Sequence, residues 1–483
     1  MQKIDHSIIK NKEYLTNRLG IGLSFDVDFR ELIILKKKVQ LYFVTGLVDG
    51  DALTEIIKKL VSINDDENAK SDIFQELNNR IVHEQVKSVK TMDEAVDQLL
   101  SGLAIIFADG EEECFVVDTR HYPGRTPEEP DTEKVVRGSR DGYTENIIEN
   151  TALTRRRIRD ERLRNQMIQV GERSKTDVCI CYLQDVADVG LVDLIKNELG
   201  QIKIDGLSMA DKTIEEYLVS QGMNPYPMVR YTERPDVAAA HLFEGHVLIM
   251  VDTSPSMIIV PTTFFHHVQH AEEYRESPSV GTFVRWIRFM GIFASLFLLP
   301  LWLLVVQEPE LLPDTLQFIG PNEVGNVPIV VQILLADIGI EFLRMAAIHT
   351  PTALSTAMGL IAAVLIGEIA IEVGLFSSEV ILYVSISAIG SFATPSYELS
   401  VANKIARIIL ILLTFAFHTA GFLIGTTLFI LFLASTRSLQ TPYLWPFIPF
   451  NDKALWQIMF RLAMPLSKTR PSIVKPTNNQ KQS

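Results

Sequence analysis

VRWIRFMGIFASLFLLPLWLLVV, residues 284 to 306, is the stretch on which the fold turns. It is apolar over a length that, as a helix, crosses about 30 Å of hydrocarbon. Arg285 and Arg288 stand at its leading edge and Arg275 lies just upstream. Positive charge beside a first span favours the cytoplasmic side, so everything before Val284 is expected inside. QEPELLPD, which follows the span without a positive charge, then falls outside.

Toward the C-terminus further apolar segments follow. Residues 327–348 are apolar but hold Asp337, Glu341 and Arg344, with Glu341 and Arg344 at i, i+3, close enough to pair. This segment reads as a tilted, interfacial or re-entrant helix, with a full span as the alternative. Residues 354–373 and 379–393 read as spans, and 405–434 as one long tilted span or a broken pair. Residues 284–436 are thus expected to form an all-α polytopic transmembrane domain of about four spans plus the interfacial or re-entrant helix. Residues 437–483 form a basic tail, which four spans return to the cytoplasm. Lys404 and Arg407 oppose that topology, because they would lie at the outer end.

Toward the N-terminus the chain reads as soluble α/β. LIILKKKVQLYFVTGLVDG looks like a strand ending in a turn, DALTEIIKKLVSI like an amphipathic helix, TMDEAVDQLLSG like a helix capped by Thr91, and LAIIFADG like a buried strand. After the charged, Pro-rich stretch 121–134 the pattern resumes with TDVCICYL, VGLVDLIKNELGQI and HVLIMVDTSPSMIIVP. Two cytoplasmic subdomains are expected, residues 1–125 and 126–283. No tandem repeat is visible in the letters, and the polar first twenty residues do not read as a secretory signal. The formal net charge of -14 argues against nucleic acid as the main partner. Cys114, Cys179 and Cys181 suggest neither a disulfide framework nor a zinc set; Cys179 and Cys181 alternate, so on a strand they share one face.

Four stretches carry a family resemblance. They are SRDGYTENIIENTALTRRRIRDERLR (139–164), YTERPDVAAAHLFEGHVLIMVDTSP (231–255), GSFATPSYELSVANKIARI (390–408) and PYLWPFIPF (442–450). Taken in this order they resemble the A-type subunits of the GerA family of spore germination proteins, and within it the stage V sporulation branch. The resemblance runs from about residue 30 to about residue 460. It departs at Thr253, where the family has Asp-Gly or Asp-Asn, and at Glu368, where the family commonly has Gly-Gln. The resemblance implies an inner-membrane protein of bacterial spores with its N-terminal region on the spore-core side. It implies a permease-like B subunit and a lipoprotein C subunit as companions. It also implies an A subunit that forms homo-oligomers and conducts ions, so that ion release starts germination and calcium-dipicolinate follows.

Within that frame the candidate residues are these. Glu368 and Glu372 lie in GLIAAVLIGEIAIEVGLF (359–376), four apart on one helical face. Acids at bilayer depth cost about 2.5–3.5 kcal/mol each on insertion scales and default to a functional role. Rings of them contributed by several protomers would favour monovalent cations; the plain alternative is a hydrated membrane edge. Asp337 and Glu341 are a second candidate lining of the ion pathway, or simply the wet face of an interfacial helix. Gly390 and Pro395 bracket SFAT as a hinge or gate, or as an ordinary turn. Arg155, Arg159 and Arg162 would form one stripe on a helix, for a subunit or anionic-lipid contact, or a solvated face paired to Asp160 and Glu161. His266 and His270 have i, i+4 spacing but lack a metalloprotease glutamate. With no nucleophile elbow, P-loop or GxGxxG, the sequence points to no enzyme, cofactor, metal or nucleic acid. The expected function is a homo-oligomeric cation channel that promotes or amplifies germination. The alternative is a non-conducting scaffold relaying the nutrient-receptor signal to the dipicolinate channel.

Overall fold

The computed structural model describes residues 2–65, 73–80, 86–121, 133, 135–219, 221–321, 327–349, 359 and 365–481. It divides into two compact units. The first comprises Met1–Gly222, Val229–Thr262 and Pro465–Ser483; the second comprises Met223–Met228 and Thr263–Met464.

The first unit opens with helix α1 (Ile8–Leu19), ended by Gly20 in the left-handed region at φ 68°. It then builds a five-stranded antiparallel sheet from β1 (Val27–Ile34), β2 (Lys37–Val44), β3 (Val86–Val89), β4 (Ala104–Ala108) and β5 (Cys114–Val117) in the order β1-β2-β4-β5-β3. Helices α2 (Gly50–Ser62) and α3 (Ile73–Arg80) connect β2 to β3, and α4 (Met92–Leu100) connects β3 to β4. The expected cap is in place, Thr91 accepting from the amide of Glu94, and Asp49 caps α2 by accepting from the amides of Asp51 and Ala52. β4 is buried along its whole length because both its faces are covered. Ile105 and Phe107 pack with α1 and α4, while Ala104, Ile106 and Ala108 pack with α2 and α3. That explains the unbroken apolar run.

Helix α5 (Ile147–Arg157) leads into a second five-stranded sheet. Its strands are β6 (Leu163–Val170), β7 (Thr176–Leu183), β8 (Arg230–Thr232), β9 (Val247–Val251) and β10 (Met257–Val260), in the order β6-β7-β9-β10-β8. Helices α6 (Val189–Gln201) and α7 (Ala210–Val219) connect β7 to β8, and α8 (Pro235–Glu244) connects β8 to β9. The succession and strand order repeat those of the first sheet. No repeat is legible in the letters because what recurs is where the chain buries and turns, not which apolar residue fills each place. Cys179 and Cys181 share the α8-facing side of β7, free and fully buried. The last residues return to this unit. Val474 packs on Gly245, Thr477 N–H donates to the Val186 carbonyl, and Lys481 pairs with Glu244.

The second unit holds α9 (Ala271–Arg275), α10 (Pro278–Gln307), α11 (Ile329–His349), α12 (Ser378–Phe392), α13 (Tyr397–Ser435) and α14 (Asp452–Met459). By length and composition α10 and α13 could cross a membrane. α13 is not one rod. His418 takes non-helical angles (φ 54°, ψ -136°), and the two halves fold against each other as a hairpin. A Cβ on Gly421 would strike the Leu413 backbone, and one on Gly425 would lie 2.9 Å from side-chain carbons of Leu410 and Leu413. Of the two readings for residues 405–434, the broken pair holds. α11 is a continuous helix whose 21 residues rise about 32 Å. Half of the span expected at 354–373 lies outside the described residues. Leu365–Ile369 form one π-helical turn and Ala370–Glu372 a short α-helical one.

Candidate functional site

Four helices of the second unit turn small or polar faces toward one another. Gly291 and Ser295 on α10, and Ser387 and Ser391 on α12, are each four residues apart. Asp337, Glu341 and Arg344 on α11, and Ser400, Lys404 and Arg407 on α13, each follow i, i+4, i+7. These spacings put every set on one helical face. A Cβ on Gly390 would collide with the Gly291 backbone, so α10 and α12 cross at nearly bare backbone.

The charges interlock at this crossing. Arg407 donates to Asp337 Oδ1 at 2.5 Å, to the Ser295 carbonyl and to Ser387 Oγ. Lys404 Nζ is 2.6 Å from Glu341 Oε2 and 3.6 Å from Asp337 Oδ1. Arg344 donates to Glu341 Oε1 and, at 3.0 Å, to Ser400 Oγ. The expected Glu341–Arg344 pair is therefore present, but as one link of a larger chain. Asp337 and Arg407 are 1% and 0% exposed. The picture of a wet interfacial face on this helix does not hold: its acids turn inward, where the cations of α13 neutralise them. Ser295 lies about 18 Å before Gln307 and about 14 Å after Trp286 along α10, so the network sits near the middle of that helix's apolar length. Three cations against two acids leave a surplus positive charge. Asp337 Oδ2, Arg407 Nε, Asn403 Nδ2 and Thr414 Oγ1 are buried without a hydrogen bond among the described residues.

Glu368 and Glu372 lie elsewhere, on the π turn and the short helix after it. Both are exposed, and neither has an ion pair among the described residues. Gly390 is interior to α12, serving the crossing with α10, whereas Pro395 follows the end of that helix in the link to α13. The three arginines do not form a stripe. α5 ends at Arg157, which leaves Arg159 and Arg162 on the following turn. Arg162 pairs with Asp160 and Asp185, and Arg159 reaches Ser101 Oγ at 3.5 Å. Arg155 points into the first unit and meets Asp26 at 2.9 Å, both 1% exposed. Ser24 and Asn165 also donate to Asp26. Burial pushes the Asp26 carboxyl up, and Arg155 with these hydrogen bonds outweighs it, holding it below the usual range. His266 binds back to Thr263 on a 3-10 turn and His270 caps α9, so the two serve separate elements.

Sequence reasoning missed that α11 and α13 are complementary. The signal was the matched spacing Asp-Glu-Arg against Ser-Lys-Arg. Lys404 and Arg407, which counted against the topology when read as free positive charge, are neutralised by α11.

Comparison with known proteins places this architecture. Residues 13–473 match the family described as Bacillus/Clostridium GerA spore germination protein. The stage V sporulation protein AF of Bacillus subtilis (strain 168) is 61% identical over 473 residues, 98% of this chain and 96% of that relative. From the same organism, the uncharacterized membrane protein YfkQ is 31% identical over 84% of this chain and 79% of its own length. Spore germination protein KA is 29% identical over 99% of this chain and 89% of its own. The crystal structure of the N-terminal domain of the A subunit of the Bacillus megaterium spore germinant receptor GerK3 matches at TM-score 0.43 and 23% identity, over 55% of this chain and 98% of that one. With a family match along nearly its whole length, and a relative at 61% identity, the chain belongs to the GerA family of spore germination proteins.

Proposed function

We propose that the chain is the ion-conducting membrane subunit of a spore germination complex. It works as a homo-oligomer in the spore inner membrane, with the first unit on the core side. It passes monovalent cations, and its opening promotes the response that ends in dipicolinate release. Other germination proteins of the spore membrane, including a second polytopic one, are its companions. The observation that carries this reading is a division among the acids. Asp337 and Glu341 are neutralised within the protomer, whereas Glu368 and Glu372 are exposed and open to an aqueous path between protomers. The internal network then acts as a clamp that holds α11 to α13 rather than as the path itself.

The same helices suggest how the chain crosses the bilayer. Glu308 bonds to Thr419, which puts the α13 hairpin tip at the far end of α10. Arg344 lies by Ser400 and Tyr397, whereas Gln332 accepts from Ser377 N–H, so α11 ends at one face and α12 begins at the other. On this reading α10, α11, α12 and the two halves of α13 supply five crossings among the described residues.

Replacing Glu368 and Glu372 together by Gln tests the reading, through cation efflux from spores and single-channel current in reconstituted bilayers. Reduced cation selectivity is the expected result. Unchanged conductance and selectivity would remove both acids from the path, and an oligomer without current would favour the scaffold.

A further inference from the structure

The geometry points to α14 and the turns before it as an interfacial anchor that docks into the phospholipid headgroup layer, on the side where α10 enters the membrane. This rests on the membrane-spanning reading of α10.

The segment is built from the sequence upward. Asn451 caps α14 by accepting from the Ala454 amide. Ala454 and Ile458, four apart, are buried, which turns Trp456 outward at 58% exposure. The helix is fixed to the first turns of α10. Arg285, 1% exposed, donates to the carbonyls of Gln457 and Ile458 at 3.1 and 2.8 Å and pairs with the buried Glu273 at 2.7 Å. Trp286 Nε1–H donates to the Met459 carbonyl at 2.8 Å. Arg461 donates to the carbonyls of Tyr274 and Glu276, so the segment leaving α14 is held as well. Phe460 sits between two indoles, with ring centroids 5.3 Å from Trp286 and 4.1 Å from Trp456. Phe447 and Phe450 extend the exposed aromatic surface.

Three considerations fix the occupant. Trp286 to Gln307 rises about 31 Å, the thickness of the hydrocarbon layer, so Trp286 and the rings stacked beside it lie at its edge. The chain from Trp445 to Asn451 is turn rather than helix, and irregular backbone is not tolerated among lipid tails. An aromatic surface of this extent is equally out of place in water. The headgroup layer satisfies all three, and it is where Trp and amphipathic helices partition. The surface is also continuous with the exposed apolar side of α10 at Met290 and Phe293.

The test uses the full chain in vesicles of phosphatidylethanolamine and phosphatidylglycerol. Cys114, Cys179 and Cys181 are buried, so a nitroxide reaches an introduced thiol selectively, with the unsubstituted chain as blank. Labels are placed by Trp456→Cys, Phe450→Cys, Phe293→Cys for depth and Met209→Cys for water. The expected result is an oxygen-to-nickel-complex collision ratio at positions 456 and 450 several-fold above that at 209 and below that at 293. Water-like ratios at 456 and 450, with 293 still deep, overturn the anchor but leave the span. Labels at 456 and 450 shielded from both reagents overturn it in favour of a second protein surface. Water-like values at 293 as well overturn the span on which the anchor rests.

Discussion

Thr253 holds φ at 71°, a left-handed conformation that a β-branched residue reaches only against its own Cβ. It is kept there because its N–H donates to the Glu145 carbonyl at 2.8 Å while Asp252 N–H donates to Asp177. The family-type residues Gly and Asn take this conformation at lower cost. Thr253→Asn is therefore expected to stabilise the detergent-solubilised protein by about 1 kcal/mol, read as a raised unfolding midpoint. This site was legible in the sequence as a departure from the family turn. Asp26 was not. Its partner Arg155 is 129 residues away in the chain, and a dense run of arginines gives no sign of which ones turn inward, as Arg155 and Arg164 do. Asp26→Asn leaves Arg155 buried and unpaired, at an expected cost of about 3–5 kcal/mol by denaturant unfolding. The Asp26 carboxyl titrates below its unfolded value near 3.9. Its contribution is thus complete above that value and is lost as pH falls through the folded one, so the variant's deficit should shrink in acid.

At the scale of elements, helices were read well where their pattern is local and poorly where it is shared. The helix α2, the cap of α4 and the strand character of β4 and β7 all follow from a few neighbouring residues. The pairing of α11 with α13 depends on two segments some sixty residues apart, each ambiguous alone: one has too many charges for a span, the other carries positive charge at the wrong end. Joined, the two acids each gain a cation from the other helix. Gly390 was open to similar misreading, because a glycine near a Pro-containing turn signals the turn, whereas here it serves a helix crossing. Gly390→Leu should force α10 and α12 apart and destabilise the second unit by more than the about 1 kcal/mol that helix propensity alone would return. Gly390→Ala, the smaller intrusion, should do less. Thermal unfolding of the two variants in detergent orders them.

For the whole molecule, the two subdomains expected before the membrane region are two copies of one topology, which composition cannot reveal. The tail was legible as basic but not as structured. Its residues 465–483 end in the first unit, held at Gly245, Val186 and Glu244. The polypeptide therefore leaves the first unit twice, at Met223–Met228 and at Thr263–Met464, and ends in it. A nick engineered between Thr262 and Thr263 should leave both pieces co-migrating on gel filtration in mild detergent. Pieces that part at once would show the closing stitch to be weaker than drawn. Like a chain fastened at both ends, the protein cannot shed its first unit by one cut. A protease acting on the dormant spore would have to sever it at each of those excursions.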